Sequence, residues 1–279
     1  TQSSNIMINL TMQKRGLPIG YAVTAGNQAQ LGLAELAMNI VEDTRVTALG
    51  LYVEGLGSIR NFEKLVSLCD RLGKAIVIIK IGKSEHAQQS AVSHTASLAG
   101  SDKGASALMK RLGVARVRSL SEFIETLKIF HCHGRLSGPS VASVSCSGGE
   151  ASLIADLSYG EQVLFPKLTK EQNKNLKNAL GGKVALANPL DYHTYIWGDA
   201  SKMAKTFISI MRDKNIDIGI IIVDFPRSDL CDPGAWNCVV EAAVLTKETI
   251  KKPIALMSTL AENIEESLAK DLMRKNLIP

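Results

Sequence analysis

The sequence predicts an α/β protein made of two doubly wound domains, each built on a parallel sheet that is covered by helices. One pattern recurs along the chain: a short β-branched run, a turn rich in Gly, Ser and Asn, and then an amphipathic stretch. The length of 279 residues corresponds to two domains of about 150 residues each. The apolar runs are continuous rather than alternating, which favours strands buried on both faces.

The first half of the chain contains two predicted strands, Val46–Val53 and Ala75–Lys80. The second is apolar at five consecutive positions, as expected for a strand inside a parallel sheet. Amphipathic stretches on either side predict the helices. These helices are Ile6–Arg15, Leu31–Val41, Asn61–Leu72 and Ser121–Phe130, the last with Ser121 as its N-cap.

The segment Gly134-Arg-Leu-Ser-Gly-Pro-Ser140 interrupts this pattern with two glycines and a proline. We therefore predict a linker at 134–140 between domains 1–133 and 141–279. The predicted strands of the second half are Val141–Ser145, Ile216–Val223 and Pro253–Met257. One predicted helix follows the first strand and continues through Asp156, and another covers Pro233–Thr249 with Asp232 before it. Capping boxes are predicted at Thr169–Gln172 and Thr259–Glu262. Residues 1–5 resemble a phosphate-type turn without a strand before it, so we expect the chain to be a fragment.

The composition narrows the class of protein. With 46% hydrophobic and 21% charged residues, the chain is neither disordered nor fibrous. It has no apolar run of about 18 residues and no signal-peptide layout, so no membrane partner is expected. The net charge of +5 suits phosphorylated small molecules better than nucleic acid. Five cysteines without a CxxC spacing indicate neither a disulfide framework nor a zinc ribbon, and we expect a reducing, cytoplasmic setting.

A polar loop of about 20 residues, 81–102, follows the second strand, and loops of this length inside compact domains are usually functional. It contains His94, which Ser93 and Thr95 flank. Small residues follow, which would let another group approach closely. An imidazole here can act as a nucleophile, a base or a ligand. The alternative is a solvated loop histidine.

Glu54 directly follows the strand that ends at Val53. Ligands of open α/β sheets bind at the carboxyl ends of the strands, so this carboxylate is a candidate site residue. It can orient an imidazole and stabilise its charged form. The alternative is a solvated turn glutamate before a glycine.

Two turns are candidate anion sites, because helix N-termini offer free N–H groups and a favourable dipole. Ser145-Cys-Ser-Gly-Gly149 follows a strand and opens a helix, and Gln2-Ser-Ser-Asn5 precedes another. Either can also be a plain tight turn. The sequence contains neither GxxxxGK[ST] nor GxGxxG, which argues against P-loop chemistry and dinucleotide binding.

Other polar segments rank lower. His131-Cys-His133 looks like a metal cluster, but residues i and i+2 of a helix point in different directions, so we predict no metal site. The acids of Asp224–Asp232 are predicted to be turn and cap residues. Asn188-Pro-Leu-Asp191 is predicted to form a turn.

The segment Ser93-His-Thr-Ala-Ser-Leu-Ala-Gly-Ser-Asp102, behind Val77-Ile-Ile-Lys-Ile-Gly-Lys-Ser84, resembles the phosphohistidine segment of NDP-forming acyl-CoA synthetases. These are the ADP-forming acetate–CoA ligase relatives of succinyl-CoA synthetase. Further similar stretches occur in the family's order. They are Ala25-Gly-Asn27, Glu42-Asp-Thr44, Leu51-Tyr-Val-Glu-Gly55, Ser145-Cys-Ser-Gly-Gly149 with Ala155-Asp156, and Asn188-Pro-Leu-Asp191.

The resemblance implies two flavodoxin-like domains of the succinyl-CoA synthetase type and a phosphoryl relay. In the family, an acyl-CoA is exchanged for an acyl phosphate, and the phosphoryl group passes through a covalent phosphohistidine to ADP. It implies His94 as that histidine, Glu54 as its supporting carboxylate, and Ser93 and Thr95 as loop support. The phosphate-binding helix N-termini would be at Ser3-Ser4 and Ser147-Gly148-Gly149.

The resemblance also implies partners and cofactors. A CoA-binding domain and an ATP-grasp domain, in the same chain or in a partner subunit, would bring CoA and Mg-ATP or Mg-ADP to the acyl-CoA or carboxylic acid substrate. A homodimer is compatible with the family. Two alternatives are a non-catalytic sensor or scaffold relative and an independent flavodoxin-like ligand-binding protein. Retention of both His94 and Glu54 argues against the scaffold.

Overall fold

The computed structural model describes residues 3–87 and 101–279. The chain divides into two compact units, Thr1–Arg135 and Leu136–Pro279. This division lies inside the segment 134–140 that interrupts the sequence pattern. Each unit has its own core.

Unit 1 contains a parallel sheet with the strand order β1-β2-β3 in the described residues. All six residues of β2 are buried, as its apolar run predicts. Core side chains from α2 and α3 pack on one face of the sheet, and Phe123 of α5 packs on the other. The elements are α1 (Ser4–Thr11), α2 (Leu33–Val41), β1 (Ala48–Val53), α3 (Ile59–Arg71), β2 (Ala75–Lys80), α4 (Asp102–Leu112), β3 (Ala115–Val117) and α5 (Leu120–Cys132).

Unit 2 contains a second parallel sheet with the strand order β5-β4-β6-β7. The Ile278 carbonyl accepts a hydrogen bond of 2.8 Å from the Leu256 N–H, which extends the sheet beyond β7. The elements are β4 (Val141–Ser145), α6 (Gly148–Ser158), α7 (Lys170–Leu180), β5 (Leu190–Asp191), α8 (Ala200–Met211), β6 (Ile218–Ile222), α9 (Asn237–Ile250), β7 (Ile254–Met257) and α10 (Glu266–Arg274), with 3₁₀ turns at Thr194–Ile196, Pro233–Trp236 and Ala261–Asn263.

The strand order of unit 2 is that of a flavodoxin-like sheet, in which the first strand lies between the second and the third. The predicted fold class, doubly wound and flavodoxin-like, is confirmed. The capping box at Thr169 and Gln172 is also present, with the Gln172 N–H donating to Thr169 Oγ1 and the Thr169 N–H donating to Gln172 Oε1.

Three predictions in unit 1 were wrong. The predicted loop 81–102 is not irregular throughout, because residues 85–87 are helical and Asp102 begins α4. Helix α1 covers Ser4–Thr11 rather than Ile6–Arg15, because Gln13 folds the following segment into a turn by accepting from the Arg15 N–H. The N-cap of α5 is Ser119 rather than Ser121, since Ser119 Oγ accepts from the Glu122 N–H.

Three predictions in unit 2 need correction. Thr259 forms no capping box, because its N–H and hydroxyl both donate to the Asp224 carboxylate. Asn188–Asp191 is more than a turn, since its last two residues form β5. Asp232 is an N-cap with Pro233 behind it, as predicted, but the first turn there is 3₁₀ and α9 starts at Asn237.

Candidate functional site

Strands β1 and β2 bring Glu54 and the start of the predicted loop 81–102 together at one edge of the unit 1 sheet. Val53 pairs with Lys80 in the parallel register, and the Ile81 N–H donates to the Val53 carbonyl at 3.0 Å. Glu54 and the first residue of the loop therefore leave the sheet side by side. This is the carboxyl edge, where open α/β sheets bind their ligands.

The other end of the loop is fixed by α4. Ser101 is its N-cap, with its hydroxyl accepting a hydrogen bond from the Gly104 N–H. Asp102 begins the helix and pairs with Arg116 of β3, and this contact lowers the pKa of Asp102. Residues 81–87 and 101–112 thus both belong to unit 1. The predicted residues Ser93, His94 and Thr95 lie outside the described residues.

Lys80 is a candidate site residue that sequence reasoning missed. It ends β2, is only 8% exposed, and donates from Nζ to the Ile81 carbonyl at 2.5 Å. Burial lowers the pKa of Lys80, and the positive charge of Arg116 lowers it further. The carboxylates of Asp102 and Glu54 act in the opposite direction. The signal in the sequence is a lysine that closes an otherwise apolar strand.

A cavity of about 710 Å³ opens beside Lys80 in unit 1. Gln28 and Ser101 line it together with the glycines that follow Glu54. Gln28 Nε2 donates to the Gly55 carbonyl at 3.2 Å, and Gln28 Oε1 accepts from the Leu33 N–H at 2.8 Å. This side chain therefore holds the turn after Glu54 against the start of α2.

The two predicted phosphate-binding turns differ in their capping. Ser3 Oγ accepts from the Ile6 N–H at 3.3 Å and so caps α1, in which Ser4 is the first residue. Ser147 is the N-cap of α6, but its side chain makes no capping hydrogen bond within the described part of the chain. Gly148 and Gly149 follow it and are exposed. The first turn of α6 therefore has one more N–H group without a side-chain cap than the first turn of α1.

Carboxylates surround the N-terminus of α6. A Cβ atom at Gly148 would lie 3.2 Å from Asp191 Oδ2, so the glycine leaves room for that carboxylate at the end of β5. Asp191 Oδ1 accepts from the His193 N–H at 2.8 Å. Asp224, which follows β6, is held by the Thr259 N–H at 2.7 Å and by Asn263 Nδ2 at 3.0 Å.

Glu150, the third residue of α6, is another residue that sequence reasoning missed. Burial raises its pKa to about 7, and the negative charges of Asp224 and Asp191 add to the shift. Its Oε2 atom is buried without a hydrogen-bond partner among the described residues. The hydroxyl of the fully buried Tyr192 also has no hydrogen-bond partner among the described residues. Burial raises the pKa of Tyr192, and the negative charges of Cys146 and Glu150 raise it further.

The segments that ranked lower in the sequence have structural roles. His131 Nδ1 lies 2.8 Å from Thr47 Oγ1, and burial lowers the pKa of His131. In residues 3–87 and 101–279, no group of three or more His, Cys, Asp and Glu residues is arranged to hold a metal ion. Asp229 pairs with Arg227, as expected of a turn residue. No helix in these ranges is long and apolar enough to cross a membrane.

Comparison with known proteins decides the family. Residues 1–130 match the model of the succinyl-CoA ligase like flavodoxin domain. The chain belongs to the NDP-forming acyl-CoA synthetase family. The alpha subunit of acetate–CoA ligase (ADP-forming) II from Pyrococcus furiosus is 30% identical over 264 residues, which are 94% of this chain and 56% of that subunit. The isoenzyme I alpha subunit from the same organism is 28% identical over 271 residues.

Two solved structures share the fold of this chain. The dinucleotide forming acetyl-coenzyme A synthetase 1 of Ca. Korarchaeum cryptofilum, in complex with phosphate and ADP, matches 99% of this chain with a TM-score of 0.73 and 19% identity. A Pyrococcus horikoshii protein matches 100% of the chain with a TM-score of 0.74 and 22% identity. The chain spans 56% of both P. furiosus subunits and 62% and 58% of these two solved chains.

Proposed function

We propose that this chain is the phosphoryl-carrying part of an acid–thiol ligase that interconverts acyl-CoA, NDP and phosphate with free acid, CoA and NTP. The observation that carries the proposal is the parallel register of β1 and β2. Because of this register, Glu54 lies beside Ile81, the first residue of the segment 81–102 that contains His94. Family membership supports the same chemistry.

The proposed relay has three balanced steps. Phosphate oxygen attacks the thioester carbonyl, which forms an acyl phosphate and releases the CoA thiolate. A ring nitrogen of His94 then attacks phosphorus, and the free carboxylate leaves. Finally, a β-phosphate oxygen of the nucleoside diphosphate attacks the same phosphorus and the N–P bond breaks. Only positioning and charge stabilisation are required of the protein in such transfers.

The residues of this chain take specific parts in that relay. Glu54 accepts a hydrogen bond from the N–H of the His94 ring, which orients the ring and stabilises the positive charge that it gains on phosphorylation. The N-terminus of α1 at Ser3 and Ser4, and that of α6 at Ser147, Gly148 and Gly149, each offer N–H groups that can bind a phosphoryl group. Ser93 and Thr95 support the loop.

Other parts of the enzyme supply the remaining substrates. We propose a CoA-binding domain and an ATP-grasp domain, in the same chain or in a partner subunit. They bring CoA and Mg-bound nucleotide to the carrier. The Korarchaeum structure, which holds phosphate and ADP, supports nucleotide chemistry in the family. We further propose a cytoplasmic enzyme that assembles as a homodimer.

The proposal is tested by phosphorylating the chain with acetyl phosphate, which is the acyl phosphate of acetic acid. Acid-labile, alkali-stable phosphate is then mapped by peptide mass spectrometry. We expect label on the peptide that contains His94. His94→Asn should abolish it, and Glu54→Gln should slow its formation. His86→Asn is the matched control, because it removes an exposed histidine eight residues before His94. Label that survives in His94→Asn, or no label at all, would overturn the proposal.

A further inference from the structure

The first turn of α6 in unit 2 combines free backbone donors with an exposed backbone. The first hydrogen bond inside the helix runs from the Ala151 N–H to the Ser147 carbonyl at 3.1 Å. The N–H groups of Gly148, Gly149 and Glu150 therefore have no acceptor inside the helix. We call these three donors the α6 anion site. Because both glycines are exposed, an anion can reach the site, and the helix dipole favours its binding.

Glu150 places a carboxyl group in this same turn. It is the third residue of α6, and its Oε2 atom is buried without a hydrogen-bond partner among the described residues. A buried carboxylate oxygen without a donor is unfavourable, so this geometry favours the neutral carboxylic acid. In the neutral form Glu150 adds no negative charge to the α6 anion site.

Acidic side chains at the ends of two strands also face this turn. Asp191 ends β5 and lies against the start of α6, since a Cβ atom at Gly148 would be 3.2 Å from Asp191 Oδ2. Asp224 follows β6. Burial raises the pKa of Glu150 to about 7, and the charges of Asp224 and Asp191 raise it further.

Two more titratable groups belong to this cluster. The half-buried Cys146 thiol follows β4, and the charge of Glu150 is among the causes that raise the pKa of Cys146 after burial. The His193 imidazole lies beside Asp191, with Nδ1 3.7 Å from Asp191 Oδ2. Any pH dependence of anion binding must therefore be assigned between Glu150 and His193 by substitution.

The Tyr192 hydroxyl is an independent sign of a functional cluster. Tyr192 is fully buried, and its hydroxyl has no hydrogen-bond partner among the described residues. Its oxygen lies within electrostatic range of Cys146 and Glu150, whose charges raise the pKa of Tyr192 after burial. Buried polar atoms almost always have a partner. Two such atoms without one, on Glu150 and Tyr192, indicate a role in binding rather than in packing.

Ionised Glu150 would be a third carboxylate at the start of α6, beside those of Asp191 and Asp224. A further negative charge next to a bound dianion is repulsive, and salt screens such repulsion only weakly where the groups are partly buried. Loss of the Glu150 proton should therefore weaken anion binding. By linkage, a bound anion should make Glu150 hold its proton more tightly.

We propose that Glu150 is the protonation switch of the α6 anion site. The neutral acid permits a phosphoryl group to bind there, and the carboxylate weakens that binding. The proton comes from solvent and is held on a Glu150 carboxyl oxygen while the anion is bound. The inference rests on the proposed function for the identity of the anion, a phosphoryl group in transit.

The test measures the affinity of the full chain for sulfate at pH 5.5 and pH 8.5 and at constant ionic strength. Sulfate is a dianion at both pH values, whereas phosphate itself titrates between them. NMR of the Gly148 and Gly149 carbonyl carbons reports binding without interference from amide exchange. We expect binding to be at least about tenfold tighter at pH 5.5. In Glu150→Gln, the affinity at pH 8.5 should match that at pH 5.5.

Asp156→Asn is the matched control, because it removes an exposed carboxylate from the same helix, six residues after Glu150. It should keep the pH dependence of the parent chain. The reciprocal measurement follows the carboxyl carbon of Glu150 by NMR. Its titration midpoint should rise when sulfate is added, which a purely structural glutamate would not show.

Three results would overturn the proposal. They are equal sulfate affinity at both pH values in the parent chain, no sulfate binding at Gly148 and Gly149 at either pH, and a pH dependence that persists in Glu150→Gln. If His193→Gln then abolished that dependence, the imidazole would be its cause. The relay is tested separately, because loss of the His94 label would overturn the proposed function while pH-dependent sulfate binding remained.

Discussion

Both units are built on a parallel sheet, but they differ in what lies beside its first strand and in the charge buried at its carboxyl edge. In unit 2 the central strand β4 lies between β5 and β6, and the nearby helix α6 has no side-chain cap within the described residues. In unit 1 a groove lies beside β1, and Ser3 caps α1. Unit 1 buries a lysine and unit 2 a carboxyl group. A fold therefore sets where a site is, while a few residues set its chemistry.

The largest effect on stability should come from a substitution that leaves a cavity in the core of one unit. Phe62 in unit 1 and Phe207 in unit 2 are both fully buried, so Phe→Ala at either should cost its unit about 3–5 kcal/mol. Both tryptophans, Trp197 and Trp236, lie in unit 2 and contact each other. Tryptophan fluorescence during urea unfolding therefore reports unit 2, and labelling of the buried Cys69 thiol reports unit 1.

Each reporter should respond to one substitution only. Phe207→Ala should shift the fluorescence transition, and Phe62→Ala should shift the Cys69 labelling transition. If either substitution moved both transitions equally, the units would unfold as one body and the comparison between them would fail.

The next effect concerns Glu150. Its raised folded pKa means that the native state holds a proton, between about pH 4.5 and 7, that the unfolded state has lost. Unit 2 should therefore lose stability, on the order of 1–2 kcal/mol, as the pH rises through this window. Glu150→Gln should remove most of that loss. The fluorescence transition at pH 5 and pH 8 measures it.

The exposed Glu171 provides the control for that experiment. Glu171→Gln should keep the pH dependence of the parent chain. A pH dependence that is the same in Glu150→Gln and the parent would show that other groups cause it.

The two helix caps form a matched pair with a smaller expected effect. Ser3→Ala removes a capping hydrogen bond and should weaken α1 by about 1 kcal/mol. Ser147→Ala removes a side chain that makes no such bond to the described residues, so α6 should change little. Amide exchange of 4–11 and 148–158 measures both helices. Equal losses in the two would contradict the assigned difference between the caps.

The smallest effect should be that of Lys80. Its lowered folded pKa means that the native state releases its proton before the unfolded state does. Unit 1 should therefore gain stability as the pH rises towards the ordinary lysine pKa, which is the opposite direction from Glu150 in unit 2. Lys80→Met should remove this gain, as measured by Cys69 labelling in urea at pH 7 and pH 9.5. A gain that persisted in Lys80→Met would assign it to another group.

Local signals predicted much of the fold. The bounds of β2 and β4 are those that their apolar runs predict, and the Thr169–Gln172 box is present because both partners lie within one helical turn. The box at Thr259 failed because a distant residue, Asp224, takes its donors. A capping pattern in sequence carries no information about such a competitor.

The candidate site divides in the same way. Glu54 and the turn at Ser147–Gly149 follow strands, so their place at a carboxyl edge was predictable. Lys80 and Glu150 were not found, because their unusual pKa values depend on burial and on charges from other strands and helices. Such properties arise only when the sheet is assembled. The roles of His94, Ser93 and Thr95 stay predictions, since these residues lie outside the described ranges.

The register of β4 has a consequence for the synthesis of the protein. Val141, the first residue of this strand, pairs with Ile218 of β6, so most of unit 2 must leave the ribosome before the strand gains this neighbour. Distant pairing of this kind makes folding slow, because a long loop must close first. Until then β4 of the nascent chain can pair only with β5, and its edge towards β6 stays open, which is the kind of surface that chaperones bind.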